Sequence, residues 1–355
     1  MNFYDQYVLP YAEKIEKYFY SDDFFNAFAR INGKYFTERY FKDFLNLICG
    51  GKCIRAYICN LFYRAFGGTN EGENLIFSAA FELYESSVLM HDDIIDRSPL
   101  RRGKPSAFVA LGGGHAGLSR ALCFGDIGIL TAASLAETAL LPDFYDKNRD
   151  LNDYSSVLHA ASILKKIFLT TVSGELKDVD LSYEERFDVS DVLETYREKT
   201  AYYTVSGPAV TGAVLAGANE EIIANISELA INLGIAFQIK DDILGIFSNS
   251  EQIGKSNVTD ITEGKKSLLL AYYKNAASEN EKREFFKIYG ANTITDKDAE
   301  YVKNAFKASG ALDKTEKDME NYFLKARNYV ASLPVADKFK KETEQLIEFL
   351  RNRKK

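Results

Sequence analysis

The strongest periodic pattern in this chain has the spacing of an α-helix. Apolar side chains recur at steps of three and four residues, which places them on one helical face: Ile222, Ile226, Leu229, Leu233 and Ala236. The 355 residues include only six prolines, and alternating strand patterns between turn residues are scarce. No alternation of strands with helices supports a parallel sheet. The sequence therefore predicts an all-α fold.

Two local signals predict where helices begin. Asn219 precedes the apolar stripe and is followed by two glutamates, so it is the predicted N-cap of that helix. Ser182 and Glu185 have the spacing of a capping box and predict a second helix start. Breaks rich in turn residues are all short, and they cover 67–72, 98–117, 142–154, 248–264 and 290–298. Because no long linker separates the helical stretches, we expect one domain over 1–355.

Charge and cysteine content narrow the class of protein. A formal net charge of −7 argues against a broad nucleic-acid surface, so no nucleic-acid partner is expected. The first twenty residues carry no apolar signal core, and no uncharged apolar stretch approaches ~18 residues, so no membrane span is expected. The four cysteines are expected to be reduced, which favours a cytoplasmic protein. The C-terminal basic residues are expected to form a solvated tail: Arg351, Arg353, Lys354 and Lys355.

The first chemically informative segment is an apolar helical run that ends in the pattern DDIID. Asp92 and Asp96 are four residues apart, so their carboxylates project from one helical face with Asp93 beside them. Like charges on adjacent turns repel, and a hard cation between them would relieve the repulsion. Oxygen ligands of this kind suit Mg²⁺, which uses one or two carboxylates and completes its shell with water and phosphates. A solvated acidic helix end is the alternative for a lone pattern of this kind.

A second pair of aspartates strengthens the interpretation as a metal site. Asp241 and Asp242 end the apolar helix that starts near Asn219, about 150 residues after the first pair. Two such pairs, each closing an apolar helix, are expected to face a shared cavity. Basic residues in glycine-rich or turn contexts could bind phosphate oxygens: Lys52, Arg55, Arg101, Arg102, Lys104, Lys199, Lys255 and Lys265. A nucleotide-binding P-loop ending at 254–256 is rejected, because that motif needs glycine where Asn249 stands.

In combination, these motifs resemble the trans-prenyltransferases, the polyprenyl diphosphate synthase family. The resemblance runs from about Gly50 to the C-terminus and is weaker over 1–49. The family's GGKRxRP is similar to 50–56, its first aspartate-rich motif with RRG to 92–103, its GQxxD to 174–178, its KT to 199–200, and its FQxxDD to 237–242. The family's GKxxxxDxxEGK is matched in full by 254–265.

This resemblance implies a fold and an activity. The fold would be an isoprenoid synthase-type helical bundle around a central active-site cavity. The enzyme would join an allylic diphosphate to isopentenyl diphosphate, extend a trans-prenyl chain and release pyrophosphate. It would work as a homodimer and use three Mg²⁺ ions.

The resemblance also implies residue roles. Metal binding would fall to Asp92, Asp96 and Asp241, with Asp93 and Asp242 supporting through bound water. Three sets of side chains would act on the substrates: Arg101, Lys199, Lys255 and Lys265 on the allylic diphosphate; Lys52, Arg55, Glu85 and Arg102 on isopentenyl diphosphate; and Lys199, Thr200, Phe237 and Gln238 near the reacting carbon.

The sequence departs from the family's pattern most at Glu85, seven residues before Asp92, where the family usually has His or Gln near isopentenyl diphosphate. An ionised carboxylate beside a diphosphate is unfavourable. We therefore expect Glu85 to be protonated, paired with Lys52 or Arg55, or turned away. Three further departures are Glu175 for the glutamine of GQxxD, Cys53 for an arginine, and Gly245 for the last carboxylate of the second motif.

Two other functions stay open at this point. A class I terpene cyclase shares the fold and the first DDxxD, but usually carries an Asn/Ser/Glu metal triad where this chain has Asp241, Asp242 and Lys255. A non-catalytic partner subunit of a prenyl synthase commonly loses its aspartates, whereas all five are present here.

Product length is predicted from the side chains four and five positions before the first motif. In this family they help form the floor of the tail pocket, and bulky aromatics there stop growth early. Here they are Val88 and Ser87, small enough to let a tail pass. The expected product therefore has twenty carbons or more, with geranylgeranyl diphosphate as the central expectation, and residues around 125–130 could supply a deeper floor.

Overall fold

The protein is almost entirely helical in the computed structural model, which describes residues 2–139, 154–247 and 259–353. A π-helix, Tyr4–Val8, leads into α1 (Leu9–Phe19), α2 (Asp22–Ile31), α3 (Lys34–Ile48), α4 (Ile54–Ala65) and α5 (Glu71–Ile95). A two-stranded antiparallel hairpin follows, β1 (Leu100–Arg101) and β2 (Lys104–Pro105), and then α6 (Ala107–Ala110) and α7 (Gly114–Thr138). This part of the chain confirms the all-α prediction.

The later helices continue the same pattern. They are α8 (Ser155–Tyr183), α9 (Val189–Thr195), a second π-helical segment (Tyr196–Ser206), α10 (Gly207–Leu215) and α11 (Glu220–Phe247). After the second gap in the described residues come α12 (Thr259–Thr262), α13 (Leu268–Ala276), α14 (Glu279–Phe285), α15 (Asp296–Ala308), α16 (Ala311–Ser332) and α17 (Asp337–Asn352).

Two compact units organise these helices. Unit 1 comprises Met1–Phe168, Tyr203–Ser227 and Leu333–Gln345. Unit 2 comprises Leu169–Tyr202, Glu228–Ser332 and Leu346–Lys355. A compact unit defined by its contacts is not by that fact an independently folding domain, so the single domain over 1–355 stays a prediction.

The core of unit 1 is formed by α5 with α4 and α7, and by α4 with α10. Glycines allow the close approaches. A Cβ on Gly128 of α7 would lie 1.9 Å from the Ser87 hydroxyl oxygen of α5, and one on Gly212 of α10 would lie 2.1 Å from the Cys59 carbonyl oxygen of α4. Overlaps of this size would force the helices apart, because interiors are packed to crystal-like density. These contacts fix α5, whose last turn carries the first aspartates.

Unit 2 has its own apolar cluster. Fully buried side chains of α13, α14 and α15 meet there, and the ring of Phe285 stacks against Tyr273 with centroids 4.1 Å apart. Ile246 of α11 and Ile261 of α12 belong to the same cluster. The last turns of α11, which carry the second pair of aspartates, are thereby anchored.

One predicted helix start is correct and the other is wrong. The Asn219 side chain accepts a hydrogen bond from Ile222 N at 3.0 Å, as an N-cap should. Ser182 instead lies inside the last turn of α8, where its hydroxyl donates to the Val179 carbonyl. The capping box belongs to α9: Asp188 accepts from the backbone N–H of Asp191, whose side chain accepts in return. A serine can satisfy itself within its own helix, so its spacing to a glutamate did not mark a start.

Two helices of the described chain, α7 and α11, are long and apolar enough to cross a membrane by length and composition. Buried helices of a soluble core pass the same test, so this is weak evidence for a span. The structure has no disulfide among the four cysteines, all of which it describes, and their reduced state stays a prediction.

Candidate active site

The first aspartates stand where α5 ends. The last helical hydrogen bond runs from Asp96 N to the Asp92 carbonyl at 2.8 Å, and Arg97 then turns the chain with a left-handed φ of 54°. Asp93 is buried, whereas Asp92 and Asp96 are half-buried. The structure therefore places Asp92 and Asp96 at the end of α5, as the sequence predicts.

Arg101 on β1 lies directly on two of these carboxylates. Its Nη2 is 2.8 Å from Asp92 Oδ2, and its Nε is 2.8 Å from Asp93 Oδ1. Burial alone would lower the pKa of Arg101, but its hydrogen bonds and charge contacts with Asp93 and Asp92 outweigh burial and raise it. The hairpin that carries Arg101 turns at Arg102 and Gly103, both with positive φ as a type I′ turn requires. A non-glycine residue in this conformation is strained, which is common at functional sites.

These carboxylates fit a magnesium site that is completed by substrate. Among the described residues, no group of three His, Cys, Asp or Glu side chains converges as a metal cage. Mg²⁺ rarely uses such a cage, because it binds through one or two carboxylates and takes its other ligands from water and substrate phosphates. Asp92 and Asp96 offer those hard oxygen donors, and the Arg101 guanidinium supplies the positive charge next to Asp92 in this structure.

A second cluster in unit 1 surrounds Glu85. The Arg55 Nη1 is 2.8 Å from Glu85 Oε1, and the Arg102 Nη2 is 3.5 Å from the same oxygen. Of the three states expected for Glu85, the structure shows pairing, with Arg55 as one of the two predicted partners. Arg102 is a further partner that the sequence did not indicate. Two of the cations assigned by resemblance to isopentenyl diphosphate are therefore held by a carboxylate.

Arg55 is fixed on several sides. Its Nη2 donates to Thr204 Oγ1 at 2.9 Å, and its guanidinium lies 4.4 Å from the ring centre of Tyr203. Its buried Nε has no hydrogen-bond partner among the described residues. Cys53 is the N-cap residue of α4 and has a left-handed φ of 51°, which turns the chain just before Arg55. The side chain is thus held in place with one donor unused.

The glycine-rich loop can lie against the hairpin because Gly51 has no side chain. A Cβ on Gly51 would be 3.0 Å from Arg102 Nη1, so a larger residue would push this guanidinium away. Beside Gly50, a cleft of about 120 Å³ is lined by Arg101 and Arg102 among others. Lys52, predicted to bind the same diphosphate, is exposed on this loop.

Glu82 is a site residue that sequence reasoning missed. It lies one helical turn before Glu85 and accepts a hydrogen bond from Ala56 N at 2.8 Å. Burial and the charge of Glu85 raise the pKa of Glu82 well above the ordinary range of a carboxylic acid. Burial also acts to raise the pKa of Glu85, but Arg55 and Arg102 outweigh it and lower the pKa. The signal was present as two acids three residues apart on an apolar helix.

Lys199 of unit 2 lies on two carboxylates of α8. Its Nζ is 3.0 Å from Glu175 Oε2 and 2.6 Å from Asp178 Oδ2. A Cβ on Gly174 would be 2.3 Å from Lys199 N, so only glycine permits this approach. Glu175, which replaces the family's glutamine, therefore gives Lys199 a charged partner rather than an amide.

Thr200, Gln238, Asp242 and Lys265 form one chain of polar contacts. The Thr200 hydroxyl donates to Gln238 Oε1 at 2.7 Å, and Gln238 Nε2 donates to Asp242 Oδ1 at 2.9 Å. Lys265 Nζ is 2.8 Å from the same Asp242 oxygen, and the Tyr196 hydroxyl donates to the other. Burial acts to lower the pKa of Lys265, but Asp242 and Asp260 raise it. Asp242 is thus saturated by protein groups, which suits a supporting rather than a direct metal role.

Asp241 is paired with a residue near the chain's end. Arg353 forms an ion pair with Asp241, and its guanidinium carbon lies 3.8 Å from the ring centre of Phe237. The Arg353 side chain is only 12% exposed, so the expectation of a solvated C-terminal tail is wrong for this residue. Arg351 is also paired, with Glu320 at 2.8 Å. The carboxylates of Asp241 and Glu320 and the ring of Phe237 therefore hold Arg353 and Arg351 against the protein.

The remaining predicted residues divide into three cases. Lys255 lies outside the described residues. A Cβ at Gly245 would be 1.9 Å from Asp260 Oδ2, so a side chain there would require the Asp260 carboxylate to move. Ser87 is fully buried against Gly128, whereas Val88 is half-buried. Of the two chain-length positions, Val88 is the one with accessible surface.

Comparisons with known proteins agree with this fold and these motifs. The sequence profile described as polyprenyl synthetase matches residues 38–308. The chain is 31% identical over 307 residues to a geranylfarnesyl diphosphate synthase of Aeropyrum pernix, covering 85% of this chain and 90% of that protein. It is 33% identical over 245 residues to a geranylgeranyl diphosphate synthase of Sulfolobus acidocaldarius, covering 68% of each.

A solved structure shares the fold. It is a geranylgeranyl pyrophosphate synthase from Corynebacterium glutamicum complexed with isoprenyl diphosphate and magnesium, with a TM-score of 0.84, 23% identity and coverage of 97% of this chain and 98% of that one. The helical fold and the aspartate sites define a prenyltransferase of the isoprenoid synthase type. The chain belongs to the polyprenyl synthetase family.

Proposed function

We propose that this protein condenses an allylic diphosphate with isopentenyl diphosphate, giving a longer trans-prenyl diphosphate and pyrophosphate. The observation that carries the proposal is the placement of Asp92 on the last turn of α5, with Asp96 at its C-cap and Arg101 paired with Asp92. Acidic side chains for a metal and a cation for phosphate oxygens lie at one helix end, as a diphosphate leaving group requires. The curated relatives named above make C20 or C25 prenyl diphosphates by their names, which supports a product of twenty carbons or more.

The reaction divides into three bond changes. The allylic C–O bond breaks, and the departing pyrophosphate takes the electron pair. The double bond of isopentenyl diphosphate then forms the new C–C bond with the allylic cation, and a proton is lost to restore a double bond. Pyrophosphate is the base that we assign to this last step.

The chain's own cations would stabilise the charge that develops on the leaving group. By the family resemblance, that role would fall to Arg101, Lys199 and Lys265. Each of these cations is paired with carboxylates, which would have to share it with the diphosphate. Such preorganised charges act most strongly where charge appears in the transition state. Bound Mg²⁺, held by Asp92, Asp96 and Asp241, would supply Lewis-acid stabilisation of the same oxygens.

The oriented dipoles of unit 2 would serve the allylic cation. The Thr200 hydroxyl hydrogen is directed to Gln238, and Gln238 is oriented in turn by Asp242. Their oxygens therefore have a fixed direction before substrate arrives, which avoids reorganisation during the reaction. Phe237 lies beside them on α11 and adds an apolar face.

Three further features belong to this proposal through family resemblance. We expect three Mg²⁺ ions with bound diphosphate, a homodimer, and a cytoplasmic location. The absence of a preformed three-carboxylate cage among the described residues supports metal binding together with diphosphate.

A diphosphate-ionising enzyme without isopentenyl diphosphate is the second candidate, and one observation favours it: Glu85 already pairs with Arg55 and Arg102. An assay with Mg²⁺, labelled isopentenyl diphosphate and, separately, dimethylallyl, geranyl and farnesyl diphosphates distinguishes the two. Elongation that Asp92→Ala abolishes supports the synthase. Consumption of allylic diphosphate to a hydrocarbon or alcohol, without elongation at any primer, would establish the second candidate.

A further inference from the structure

Glu82 and Glu85 form a carboxyl pair beside the predicted acceptor site. They stand one turn apart on α5, close enough that the charge of Glu85 opposes ionisation of Glu82. Two neighbouring buried carboxyl groups avoid like-charge repulsion when one of them carries a proton. Glu82 carries it, because the two arginines that stabilise an ionised carboxylate lie on Glu85.

The surroundings of the pair support this distribution of charge. The groups that face the pair are Arg55 and the backbone N–H of Ala56 from α4, Cys53 from the preceding loop, Arg101 and Arg102 from the hairpin, Tyr203 from the second π-helical segment, and Tyr4 from the first. Three arginines act on Glu85, whereas Arg55 and one neutral backbone donor act on Glu82. The ionised partner is therefore the one that contacts Arg55.

An incoming diphosphate would find the two arginines that bind it already paired with Glu85. Glu85 Oε1 lies within 2.8 Å of Arg55 Nη1 and 3.5 Å of Arg102 Nη2, the positions that diphosphate oxygens need. An anionic ligand and an ionised Glu85 on the same arginines repel each other, and proton uptake by Glu85 removes that repulsion.

We propose that Glu85 is a specificity-determining residue that stands in for the acceptor diphosphate on Arg55 and Arg102 in the empty enzyme, with Glu82 as its proton-carrying positioning partner. Binding of isopentenyl diphosphate is coupled to uptake of one proton by Glu85. This inference rests on the proposed function, because it takes isopentenyl diphosphate as the acceptor.

The coupling predicts a pH dependence of binding rather than of chemistry. Proton-linked binding weakens by up to about tenfold per pH unit once the group that must be protonated is ionised in the free protein. Between pH 7 and 9 at least about 90% of the diphosphate is already in its fully ionised form, since phosphate groups titrate near pH ~6, and its further ionisation would not weaken binding to arginines. Any fall in affinity over this range reports on the protein.

The test is calorimetry of the full-length protein with isopentenyl diphosphate alone, without metal or allylic substrate, from pH 7 to 9. Titrations in two buffers with different ionisation enthalpies count the protons taken up. The wild type should take up about one proton per ligand and lose affinity with rising pH. Glu85→Gln removes the charge but keeps the shape, so it should bind about tenfold tighter at the upper end of the range, with no proton uptake.

Variants of Glu82 test whether this residue acts on Glu85 or only stabilises the fold. Glu82→Gln stays neutral and still accepts from Ala56 N–H, so it should keep the wild-type affinity at pH 7, where Glu82 carries its proton. Glu82→Met removes the polar group beside ionised Glu85, so proton uptake should become easier and the fall in affinity should move to higher pH. Thermal unfolding of each variant shows that it is folded.

Equal proton uptake in wild type and Glu85→Gln, weaker binding by Glu85→Gln at every pH, or no binding by either protein would overturn the inference. The proposed function is tested on the same proteins by adding Mg²⁺ and geranyl diphosphate. Proton-coupled binding without elongation by any primer would refute the function and leave the inference on the binding site standing. Elongation together with pH-independent binding would support the proposed function and refute the inference on Glu85.

Discussion

Replacing Arg353 should release Asp241 for metal at a measurable cost in stability. Arg353→Met keeps an apolar stem beside Phe237 and removes the guanidinium. The loss comprises a cation–π contact at 3.8 Å, worth ~1 kcal/mol, and an ion pair with a carboxylate that is 40% exposed, worth up to ~1 kcal/mol. We expect a total loss of about 2 kcal/mol in the free energy of unfolding.

This loss corresponds to a small but clear shift of the melting temperature. An unfolding entropy of about 2.1 cal/mol/K per residue gives roughly 0.7 kcal/mol/K for this chain, so Tm should fall by about 3 °C in EDTA. With Mg²⁺ and pyrophosphate bound to Asp241, the wild-type ion pair is already broken, and the variant should lose only about half as much. By reciprocity, the variant should bind Mg²⁺ with pyrophosphate about fivefold tighter.

Differential scanning calorimetry in EDTA, and again with Mg²⁺ and pyrophosphate, measures both quantities. Arg351→Met is the matched control, because Arg351 pairs with Glu320, which has no predicted metal role. Its Tm loss should be the same in both conditions. An Arg353→Met loss that is also the same in both conditions would show that Asp241 keeps Arg353 when metal is present, and the reasoning would fail.

Three other changes test the site and its packing. Lys265→Met leaves the buried carboxylate of Asp242 without its cation and should cost about 3 kcal/mol in urea unfolding; no change would show that Tyr196 alone suffices. Val88→Phe should shorten the extracted prenyl products, whereas Ser87→Phe should mainly destabilise the protein because Ser87 touches Gly128; unchanged products with Val88→Phe would reject the chain-length assignment. The pKa of Glu82 is raised in the folded protein, so at a pH above the ordinary carboxyl pKa the folded state binds more protons than the unfolded state. The free energy of unfolding therefore falls as the pH rises through this range. Glu82→Gln should therefore gain stability over wild type from pH 5 to pH 8 in urea titrations, and a constant difference would contradict the raised pKa.

The sequence predicted the elements that depend on local pattern. The all-α fold follows from helical periodicity, and the cap at Asn219 follows from a single side chain that reaches its own helix start. The aspartates at the end of α5 were placed by the same means, whereas α11 continues to Phe247, so the prediction that Asp241 and Asp242 end this helix is wrong. Such features need no knowledge of which helices meet.

Features that depend on distant residues could not be read in advance. Arg353 reaches Asp241 across more than a hundred residues of sequence, and nothing near either position signals the other. Glu82 and Glu85 were visible as a pair, but their state depends on Arg55 and Arg102 from other elements. The steric reason for Gly245 likewise needs the position of Asp260.

The π-helical segment Tyr196–Ser206 has a consequence for which changes this protein tolerates. A turn of π-helix contains more residues than a turn of α-helix. Each residue of an α-helix rotates the chain by about 100° around the helix axis. Removing a single residue within this segment would let it relax to α-helical pitch and swing Lys199 away from Asp178. The chemistry of unit 2 therefore depends on the number of residues in this segment as strictly as on their identity. Substitution of Arg197, its exposed residue, should be accepted, but insertions and deletions within the segment should not.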